Sequence, residues 1–237
     1  MIQQLVSYIS INYILSKLNI NLSKNIYFNF IVFLHNVVLT IFSGYIFYNS
    51  CMIMNDIKFL ENFNFSSNLL MVRDDYYYIT YLFYLSKYYE FVDTWILYLK
   101  NKKPSFLQIY HHIGAVINMR NIYICRIEGG WVFVTFNSFV HTIMYIYYAL
   151  STLKIYLPFK RIITTIQILQ FVIGLGLSGL YLKYNNSSQE NYNVQMFINI
   201  YLCGLIILFL HFANKSYKKK TKIESTSTSI SFKSKSV

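Results

Sequence analysis

Four long stretches of this sequence contain no aspartate, glutamate, lysine or arginine, and they limit its fold more than any other feature. The stretches are residues 26–48, 131–153, 162–182 and 194–213. Each is close to the roughly 20 residues that an α-helix needs to cross the hydrocarbon core of a bilayer. The chain is 55% hydrophobic and only 13% charged, which excludes an ordinary soluble domain. The sequence therefore predicts an integral membrane protein.

Two further stretches are long enough to span a membrane although they contain ionisable residues. Residues 76–99 include three charged side chains, and residues 104–124 begin at a proline and include a pair of histidines. Counting both gives six spans. Residues 5–20 are interrupted by serine, asparagine and lysine, and whether they form a seventh span stays open. The predicted fold is an all-α polytopic membrane protein with six to seven transmembrane helices.

The predicted chain organisation has three parts. Residues 1–25 form an N-terminal segment that contains the possible degenerate first span, and residues 26–213 form the transmembrane catalytic domain. Residues 214–237 are rich in lysine, serine and threonine and cannot bury apolar area. This basic tail is expected to be disordered.

Most of the positive charges fall on one side of the predicted spans. If the C-terminus is cytosolic and the six spans alternate, fifteen lysines and arginines face the cytosol and five face the other side. The imbalance follows the positive-inside rule and predicts a cytosolic C-terminus. The net charge of +12 then needs no nucleic-acid partner. Potential glycosylation sites at Asn64 and Asn185 would lie on the non-cytosolic side.

The three cysteines, Cys51, Cys125 and Cys203, lie far apart in the sequence. Their spacing is not that of a metal site or of a disulfide framework, so no bound metal is predicted. Whether Cys51 pairs with Cys125 stays open.

Three histidines lie within the predicted spans at positions that indicate chemistry. His111 and His112 are adjacent, and His141 lies in a stretch without any charged residue. A strongly polar side chain at bilayer depth is costly and is normally kept only where it faces a helix-bundle interior or a wet cavity. We therefore take these three as candidate functional residues. Lone His35 and His211 are interpreted as buried, satisfied hydrogen-bonding groups.

Polar residues inside the spans recur at helical spacing, which places them on common faces. Lys87, Glu90 and Asp93 follow each other at intervals of three, and a self-satisfied ion cluster is an alternative interpretation of them. Gln108 shares a face with His111 and His112 on the next span. Further along, the sequence has two more stripes: Asn137, His141, Met144, Tyr145 and Tyr148, and then Thr164, Gln167 and Gln170.

These stripes predict a ring of helices around an elongated polar cavity. Asn137 is one turn from His141 and can donate a hydrogen bond toward it. The amides of Gln167 and Gln170 are equally compatible with contacts between helices and with cavity lining.

The motifs in this order resemble the ELO-type very-long-chain fatty acid elongases, the condensing enzymes of microsomal chain elongation. The family motif K-x-x-E-x-x-D-T appears at 87–94, N-x-x-x-H-x-x-M-Y-x-Y-Y at 137–148 and T-x-x-Q-x-x-Q at 164–170. The histidine box H-x-x-H-H appears at 108–112 with Gln108 in place of its first histidine, a departure that bears on substrate preference and rate. The resemblance covers roughly residues 26–213, and the first family span looks shortened.

The resemblance implies that the helices surround an acyl tunnel and that the chain condenses long-chain acyl-CoA with malonyl-CoA. The products are a 3-oxoacyl-CoA two carbons longer, CoA and CO2. We expect His111 to attack the thioester, giving an acyl-imidazole intermediate. His112 and His141 are the candidates that stabilise the enolate of the second half-reaction. Asp93 or Glu90 would orient an imidazole, with Lys87 neutralising the carboxylates.

The expected substrate-binding residues follow from the same resemblance. Those in the cavity are Gln108, Asn137, Tyr145, Tyr148, Gln167 and Gln170. Those expected to bind the CoA phosphates at the cytosolic mouth are Lys102, Lys103, Lys160 and Arg161, together with Lys100 and Lys154. No cofactor is expected beyond the substrates. Expected partners are membrane lipid and other enzymes of the elongation cycle, and a homodimer stays open.

The expected location is the endoplasmic reticulum membrane. Lys233 and Lys235 lie five and three places from the end of the sequence and resemble the dilysine signal of proteins retained there. Two rival functions fit the sequence less well. A di-iron desaturase needs about eight histidine ligands, as the boxes of that class have, whereas this chain has five histidines. A transporter would explain Lys87, Glu90 and Asp93 but not the paired histidines.

Overall fold

The computed structural model describes residues 1–65, 68–155, 157–184 and 189–234, and these residues form helices without any β-strand. The all-α prediction is confirmed. The helices are α1 (Ile2–Lys17), α2 (Ile26–Asp56), α3 (Phe59–Asn62), α4 (Asp74–Tyr89), α5 (Phe91–Leu99), α6 (Phe106–Ile124), α7 (Ser138–Thr152), α8 (Lys160–Tyr184) and α9 (Gln189–Ser234).

Short polar residues fix where two of the long helices begin. The Asn25 side chain accepts a hydrogen bond from the backbone N–H of Phe28 at the start of α2. Ser105 does the same for Gln108 at the start of α6. Such caps satisfy backbone donors that have no partner within the helix. The α6 cap therefore sets the position of the histidine box along its helix.

Among the described residues, three helices are long and apolar enough to cross a membrane. They are α2, α8 and the Asn191–Ser216 part of α9. They coincide with three of the four charge-free stretches of the sequence. Their outer surfaces remain strongly apolar: Ile41, Ile200 and Ile207 are each 66% exposed. Because the interior of the same bundle holds buried Lys87 and Glu90, the polarity is that of a membrane protein, with apolar groups toward lipid.

Two of the predicted spans are interrupted in the structure. Residues 76–99 break at Glu90 into α4 and α5. Residues 131–153 begin with a π-helical turn, Phe133–Asn137, before α7 starts at Ser138. A π turn inserts extra backbone into a helix, is rare, and is found mostly at functional sites. Each interruption brings a polar side chain, Glu90 or Asn137, into the interior.

Six helices form a closed ring. Helix α2 packs along α7, α7 contacts α8, α8 lies along α9, α9 contacts α6, α6 contacts α4, and α4 returns to α2. Helix α1 packs against α5. Its 16 residues extend about 24 Å at about 1.5 Å per residue, which is less than a hydrocarbon core of about 30 Å. The N-terminal stretch is thus a helix, and whether it spans the membrane stays open.

The end of the ring opposite the basic loops is tied together by one buried carboxylate. Glu128, between α6 and α7, accepts hydrogen bonds from the backbone N–H groups of Leu69, Leu70 and Met71 at 2.9–3.3 Å. Burial raises the pKa of the Glu128 carboxyl group. The three N–H donors compensate for taking the carboxylate out of water.

The structure differs from the sequence analysis in the tail. Helix α9 continues past residue 214 to Ser234, where disorder was expected. A helix that has already formed adds one hydrogen bond for each further residue, so extending it costs little. All three cysteines are free thiols. The potential glycosylation site at 185–187 and part of the one at 64–66 lie outside the described residues.

Candidate active site

A cavity of about 560 Å³ lies inside the ring and receives residues from α2, α5, α6, α7, α8 and α9. Most of the residues predicted for the site line it: Glu90, Asp93, Gln108, His111, His112, Asn137, His141, Tyr145, Tyr148, Gln167 and Gln170. The polar stripes therefore converge on one chamber, as the sequence predicted. We call this space the polar chamber.

One end of the polar chamber is basic. Lys100, Lys102 and Lys160 belong to its lining. Partial burial, and after it the neighbouring charge of Lys102, lowers the pKa of Lys100. The other three predicted phosphate-binding residues, Lys103, Lys154 and Arg161, are exposed and lie outside the lining.

A narrower apolar cavity of about 50 Å³ adjoins the polar chamber. The two cavities share His111, Asn137, Gln170 and Phe171 as lining residues. The remaining wall of the apolar cavity is mostly hydrophobic: Phe83, Ala115, Met119, Ile122, Val132, Phe133, Phe136, Ile198 and Leu202. A polar space and an apolar space thus adjoin, and His111 is one of the four residues on their boundary.

The three site histidines converge from two helices. The ring centres of His111 and His112 are 5.7 Å apart on α6, and the ring of His141 on α7 is 6.5 Å from that of His111. His141 Nδ1 lies 3.3 Å from Glu90 Oε1. His112 and His141 are buried, whereas His111 is half-buried. The sequence could pair His111 with His112, but only helix packing brings His141 to them.

Lys87 and Glu90 form a buried ion pair beside these rings. Lys87 Nζ is 2.7 Å from Glu90 Oε1, and the side chains are 2% and 3% exposed. Lys87 also donates to Asn137 Oδ1 at 3.0 Å. This contact corrects the expectation that Asn137 would turn toward His141, because the π turn that ends at Asn137 changes the direction of its side chain relative to α7.

Glu90, His111 and His141 offer ligand atoms that all lie within 4.8 Å of one another, which is a spacing that a metal ion can use. Lys87 Nζ already binds the Glu90 oxygen that faces His141. A cation at this point would compete with the ammonium group for that oxygen. The donor set is therefore better suited to holding protons than to holding a metal.

Asp93 is bound by two side chains, one of which the sequence analysis did not select. His35 Nε2 on α2 lies 2.8 Å from Asp93 Oδ1, and the Tyr145 hydroxyl donates to Asp93 Oδ2 at 2.7 Å. His35 was interpreted as a satisfied buried histidine. It is buried and its Nε2 has a partner in the chamber lining, but its Nδ1 has no hydrogen-bond partner among the described residues. The two residues are 58 positions apart, so no spacing rule in the sequence could have paired them.

Gln108, which replaces the first histidine of the box, contacts a chain of hydroxyl groups. Its Nε2 donates to Thr94 Oγ1 at 3.3 Å, and Thr94 Oγ1 lies 3.0 Å from the Tyr8 hydroxyl of α1. Tyr8 is 1% exposed and stacks on Phe91 with ring centres 4.0 Å apart. The N-terminal helix therefore supports the site, which was not predicted from the sequence.

His112 packs among these same aromatic rings. Its ring centre is 6.5 Å from that of Tyr8 and 6.3 Å from that of Phe91. Within the described part of the chain, His112 Nδ1 is buried and has no hydrogen-bond partner. A buried donor or acceptor without a partner is costly.

The remaining predicted residues are placed as follows. Gln167 Nε2 contacts Met144 Sδ at 3.2 Å, which joins α8 to α7, while its side chain also lines the chamber. Tyr148 lines the chamber with 42% of its surface exposed. His211 is exposed on α9, so the expectation that it is buried is wrong. A histidine within an apolar stretch need not face the bundle interior, because the outer surface of a membrane helix is apolar as well.

Comparisons with known proteins agree with the motifs. The sequence model of the ELO family, described as GNS1/SUR4, matches residues 1–225. The chain is 38% identical over 145 residues to fatty acid elongase sre1 of Dictyostelium discoideum, covering 60% of this chain and 54% of that protein. It is 34% identical over 145 residues to very long chain fatty acid elongase 6 of Gallus gallus, covering 60% and 55%.

A third relative is very long chain fatty acid elongase 4 of Homo sapiens. The chain is 33% identical to it over 156 residues, covering 62% of this chain and 49% of that protein. The chain spans about half the length of the curated relatives it matches.

Proposed function

The chain belongs to the ELO (GNS1/SUR4) family, and from that membership we propose that it is a fatty acid elongase. It condenses a long-chain acyl-CoA with malonyl-CoA and yields 3-oxoacyl-CoA, CoA and CO2. The enzyme is an acyltransferase, a very-long-chain 3-oxoacyl-CoA synthase. It needs no bound cofactor, because the thioesters supply the activated carbonyl and the decarboxylation drives formation of the carbon–carbon bond.

One observation carries the proposal. The polar chamber and the apolar cavity meet at His111. An acyl-CoA has a polar nucleotide head and an apolar tail joined at the thioester, and this arrangement matches that division. With the part of the tail next to the thioester in the apolar cavity, burial favours the complex by about 0.8 kcal/mol for each CH2 group. The thioester carbonyl then lies next to an imidazole.

In the first half-reaction, His111 attacks the thioester carbon. A bond forms between a ring nitrogen and the acyl carbon, the carbon–sulfur bond breaks, and CoA leaves as the thiol after taking up the proton that the acylated ring gives up. Nucleophilic catalysis of this kind divides one difficult step into two easier ones. Water has to be kept away from the acyl-imidazole, and the hydrophobic walls of the apolar cavity serve this purpose.

In the second half-reaction, malonyl-CoA loses CO2 and its second carbon attacks the acyl carbon. The new carbon–carbon bond forms as the bond to His111 breaks, and the ring takes up a proton from solvent. Negative charge develops on the malonyl thioester oxygen, where hydrogen-bond donors are most effective. His112 and His141, whose ring centres lie 5.7 and 6.5 Å from that of His111, are the proposed donors. Glu90 orients His141, and Lys87 balances the charge of Glu90.

The CoA phosphates bind at the basic end of the chamber. Lys100, Lys102 and Lys160 line it there, and Lys103, Lys154 and Arg161 add positive charge nearby. Lysine binds phosphate as a point charge, and arginine adds paired hydrogen bonds. This end faces the cytosol if the C-terminus does, which is where acyl-CoA and malonyl-CoA are found.

The proposed setting is the endoplasmic reticulum membrane, with several spans and a cytosolic C-terminus. The 3-oxo product has to be reduced, dehydrated and reduced again before another cycle begins. Enzymes that catalyse those reactions are therefore the proposed partners, along with surrounding lipid. A homodimer is compatible with the apolar outer surface.

The test is a condensation assay in membranes that carry the full chain, His111→Ala or His211→Ala. Radiolabelled malonyl-CoA and a panel of saturated acyl-CoAs are supplied without NADPH, so that labelled 3-oxoacyl-CoA accumulates. The wild-type chain and His211→Ala should form product, because His211 is exposed on α9. His111→Ala should lose activity by about 100-fold or more, the usual cost of removing a reacting imidazole.

Two results would contradict the proposal. Wild-type membranes that incorporate no label with any acyl-CoA would remove the proposed activity. Unchanged incorporation by His111→Ala would keep the activity and remove His111 as the nucleophile.

A further inference from the structure

A tyrosine of the last helix contacts the proposed nucleophile. The Tyr201 hydroxyl oxygen on α9 lies 3.3 Å from His111 Nδ1 and 3.2 Å from the main-chain oxygen of His111. Tyr201 also lines the apolar cavity next to His111. It belongs to none of the motifs that the sequence analysis selected, and it is 90 residues from His111.

Close packing of α6 against α9 holds Tyr201 in this position. A Cβ atom added at Gly114 of α6 would lie 2.0 Å from the Tyr201 ring, so only glycine leaves room for the ring. The reverse arrangement occurs one turn away, where a Cβ atom at Gly204 of α9 would lie 2.5 Å from the Tyr110 hydroxyl. The two tyrosine rings stack with centres 5.3 Å apart.

A second hydrogen bond reinforces this packing. The Tyr110 hydroxyl donates to the main-chain oxygen of Tyr201 at 3.2 Å. The direction of the Tyr201 ring is set by the two glycine contacts and by stacking on Tyr110, whereas this hydrogen bond joins the backbone of α9 to α6. A side chain held in this way loses little further freedom when it binds His111.

The two contacts of the Tyr201 hydroxyl determine where the imidazole hydrogen lies. A hydroxyl group has one hydrogen to donate, and a neutral imidazole has one N–H and one bare nitrogen. If the hydroxyl donates to the carbonyl oxygen of His111, its own oxygen can accept a hydrogen bond from Nδ1–H. Only the tautomer with hydrogen on Nδ1 satisfies both contacts at once. Nε2 then carries the lone pair.

We propose that Tyr201 is a positioning residue that holds His111 in the Nδ1–H tautomer and leaves Nε2 as the atom that accepts the acyl group. This inference rests on the proposed function and adds the identity of the reacting nitrogen and of the group that selects it. Fixing the tautomer of a reacting histidine through its second nitrogen is a general device in histidine-based sites.

The proposal gives each atom in the acylation step a role. The Nε2–carbon bond forms, the thioester carbon–sulfur bond breaks, and sulfur leaves with the bonding electron pair. The acylated ring is positively charged until it gives up the hydrogen on Nδ1, and that proton neutralises the departing thiolate. Before the attack, Tyr201 accepts the Nδ1–H hydrogen bond, which makes Nε2 more electron-rich.

The test compares Tyr201→Phe with Tyr110→Phe in the full chain in lipid nanodiscs. Both variants keep the stacked rings, and each lacks one hydroxyl group of the same helix pair. Only Tyr201→Phe loses the contact with His111 Nδ1. Acyl-enzyme formation is followed with radiolabelled acyl-CoA in the absence of malonyl-CoA, and the nitrogen-15 shifts of His111 report its tautomer, assigned by comparison with His111→Gln.

Tyr201→Phe should form acyl-enzyme about tenfold more slowly than wild type, the scale of one lost hydrogen bond, with little change in KM for acyl-CoA. Its nitrogen-15 spectrum should lose the Nδ1–H signature of the wild-type His111. Tyr110→Phe should keep both the rate and the signature.

Three results would overturn the proposal. The first is an unchanged rate of acyl-enzyme formation in Tyr201→Phe, and the second is an unchanged His111 tautomer in that variant. The third is an equal loss of rate in Tyr110→Phe, because it would mean that only the packing of the helices matters. If wild-type chain forms no 3-oxoacyl-CoA, the proposed function fails, while the nitrogen shifts still decide whether Tyr201 sets the tautomer.

Discussion

Lys87 and Glu90 are charged side chains that lie almost wholly inside the helix ring. Each has the other as a partner at 2.7 Å, and Asn137 supplies a further acceptor to the ammonium group. Lys87 Nζ also lies 4.0 Å from the centre of the Phe83 ring, which faces a cation favourably. A buried ion pair adds little net stability, but removal of one member leaves a charge without compensation.

We therefore predict that Lys87→Met and Glu90→Gln behave differently alone and together. Lys87→Met should destabilise the fold by about 3–5 kcal/mol because it leaves the charge of the Glu90 carboxylate uncompensated. Glu90→Gln should destabilise it by a similar amount because it leaves the charge of the Lys87 ammonium uncompensated. The double variant should recover much of that loss, while condensation stays abolished in all three. Thermal unfolding in nanodiscs and the malonyl-CoA assay measure the two properties. Additive destabilisation in the double variant would contradict the expected coupling.

At the scale of helices, the site depends on the close approach of α6 and α9. Gly114 and Gly204 let two tyrosines of the facing helices pack against backbone. The interruptions at Glu90 and at Phe133–Asn137 serve the same interior from the other side of the ring, by turning polar groups inward. The functional side chains are thus fixed by irregular helix geometry at several points.

Gly114→Ala should destabilise the protein and slow acylation, because the added methyl group would lie 2.0 Å from the Tyr201 ring. We expect a loss of about 1–3 kcal/mol, as is usual for overpacking. Gly176→Ala on α8 is the matched control, since a Cβ atom there meets nothing within 4 Å. This control should be neutral or more stable by up to about 1 kcal/mol, the helix preference of alanine over glycine. Equal Tm values for the two variants would show that α6 and α9 can move apart enough to accommodate the added methyl group.

At the scale of the whole molecule, the ring encloses a polar and an apolar space that adjoin at His111 and three other residues. The apolar cavity continues from His111 between Ala115, Ile122 and Val132. In the proposed function this cavity receives the part of the acyl tail next to the thioester, so its size limits which acyl chains can react. The cavity exists only because the helix ring is closed.

Ala115→Phe should therefore shift the preferred acyl-CoA to shorter chains. The larger side chain fills part of the cavity, and each CH2 group that can no longer be buried costs about 0.8 kcal/mol, or roughly fourfold in kcat/KM. The control is Ile207→Phe on α9, because the Ile207 side chain is 66% exposed. This variant should not shift the preferred chain length. The measurement is the ratio of rates across acyl-CoAs of increasing length. A uniform loss at every length would place the acyl tail elsewhere.

Much of this architecture could be predicted from the sequence. The charge-free stretches predicted α2, α8 and α9, and helical spacing predicted that Glu90, His111 and His141 would face one interior. These inferences rest on local patterns within single helices, where residues three or four apart share a face. The two helix interruptions could not be predicted, because they depend on packing between helices.

The contacts that complete the site escaped the sequence analysis. His35, Tyr8 and Tyr201 reach their partners across separations of 58, 86 and 90 residues. Nothing in the local sequence around a tyrosine or histidine indicates which distant helix it will contact. Such pairings are properties of the closed ring of helices.

The sequence by itself determined that this chain is an all-α membrane protein of the ELO family whose polar helix faces share an interior. The tertiary structure decided which groups meet there: that Asn137 binds Lys87, that Asp93 binds His35, and that Tyr201 contacts the histidine proposed to react. The reason is physical. Hydrophobic periodicity is written along each helix, whereas hydrogen-bond partners are chosen by the distances and angles that arise only when the helices pack.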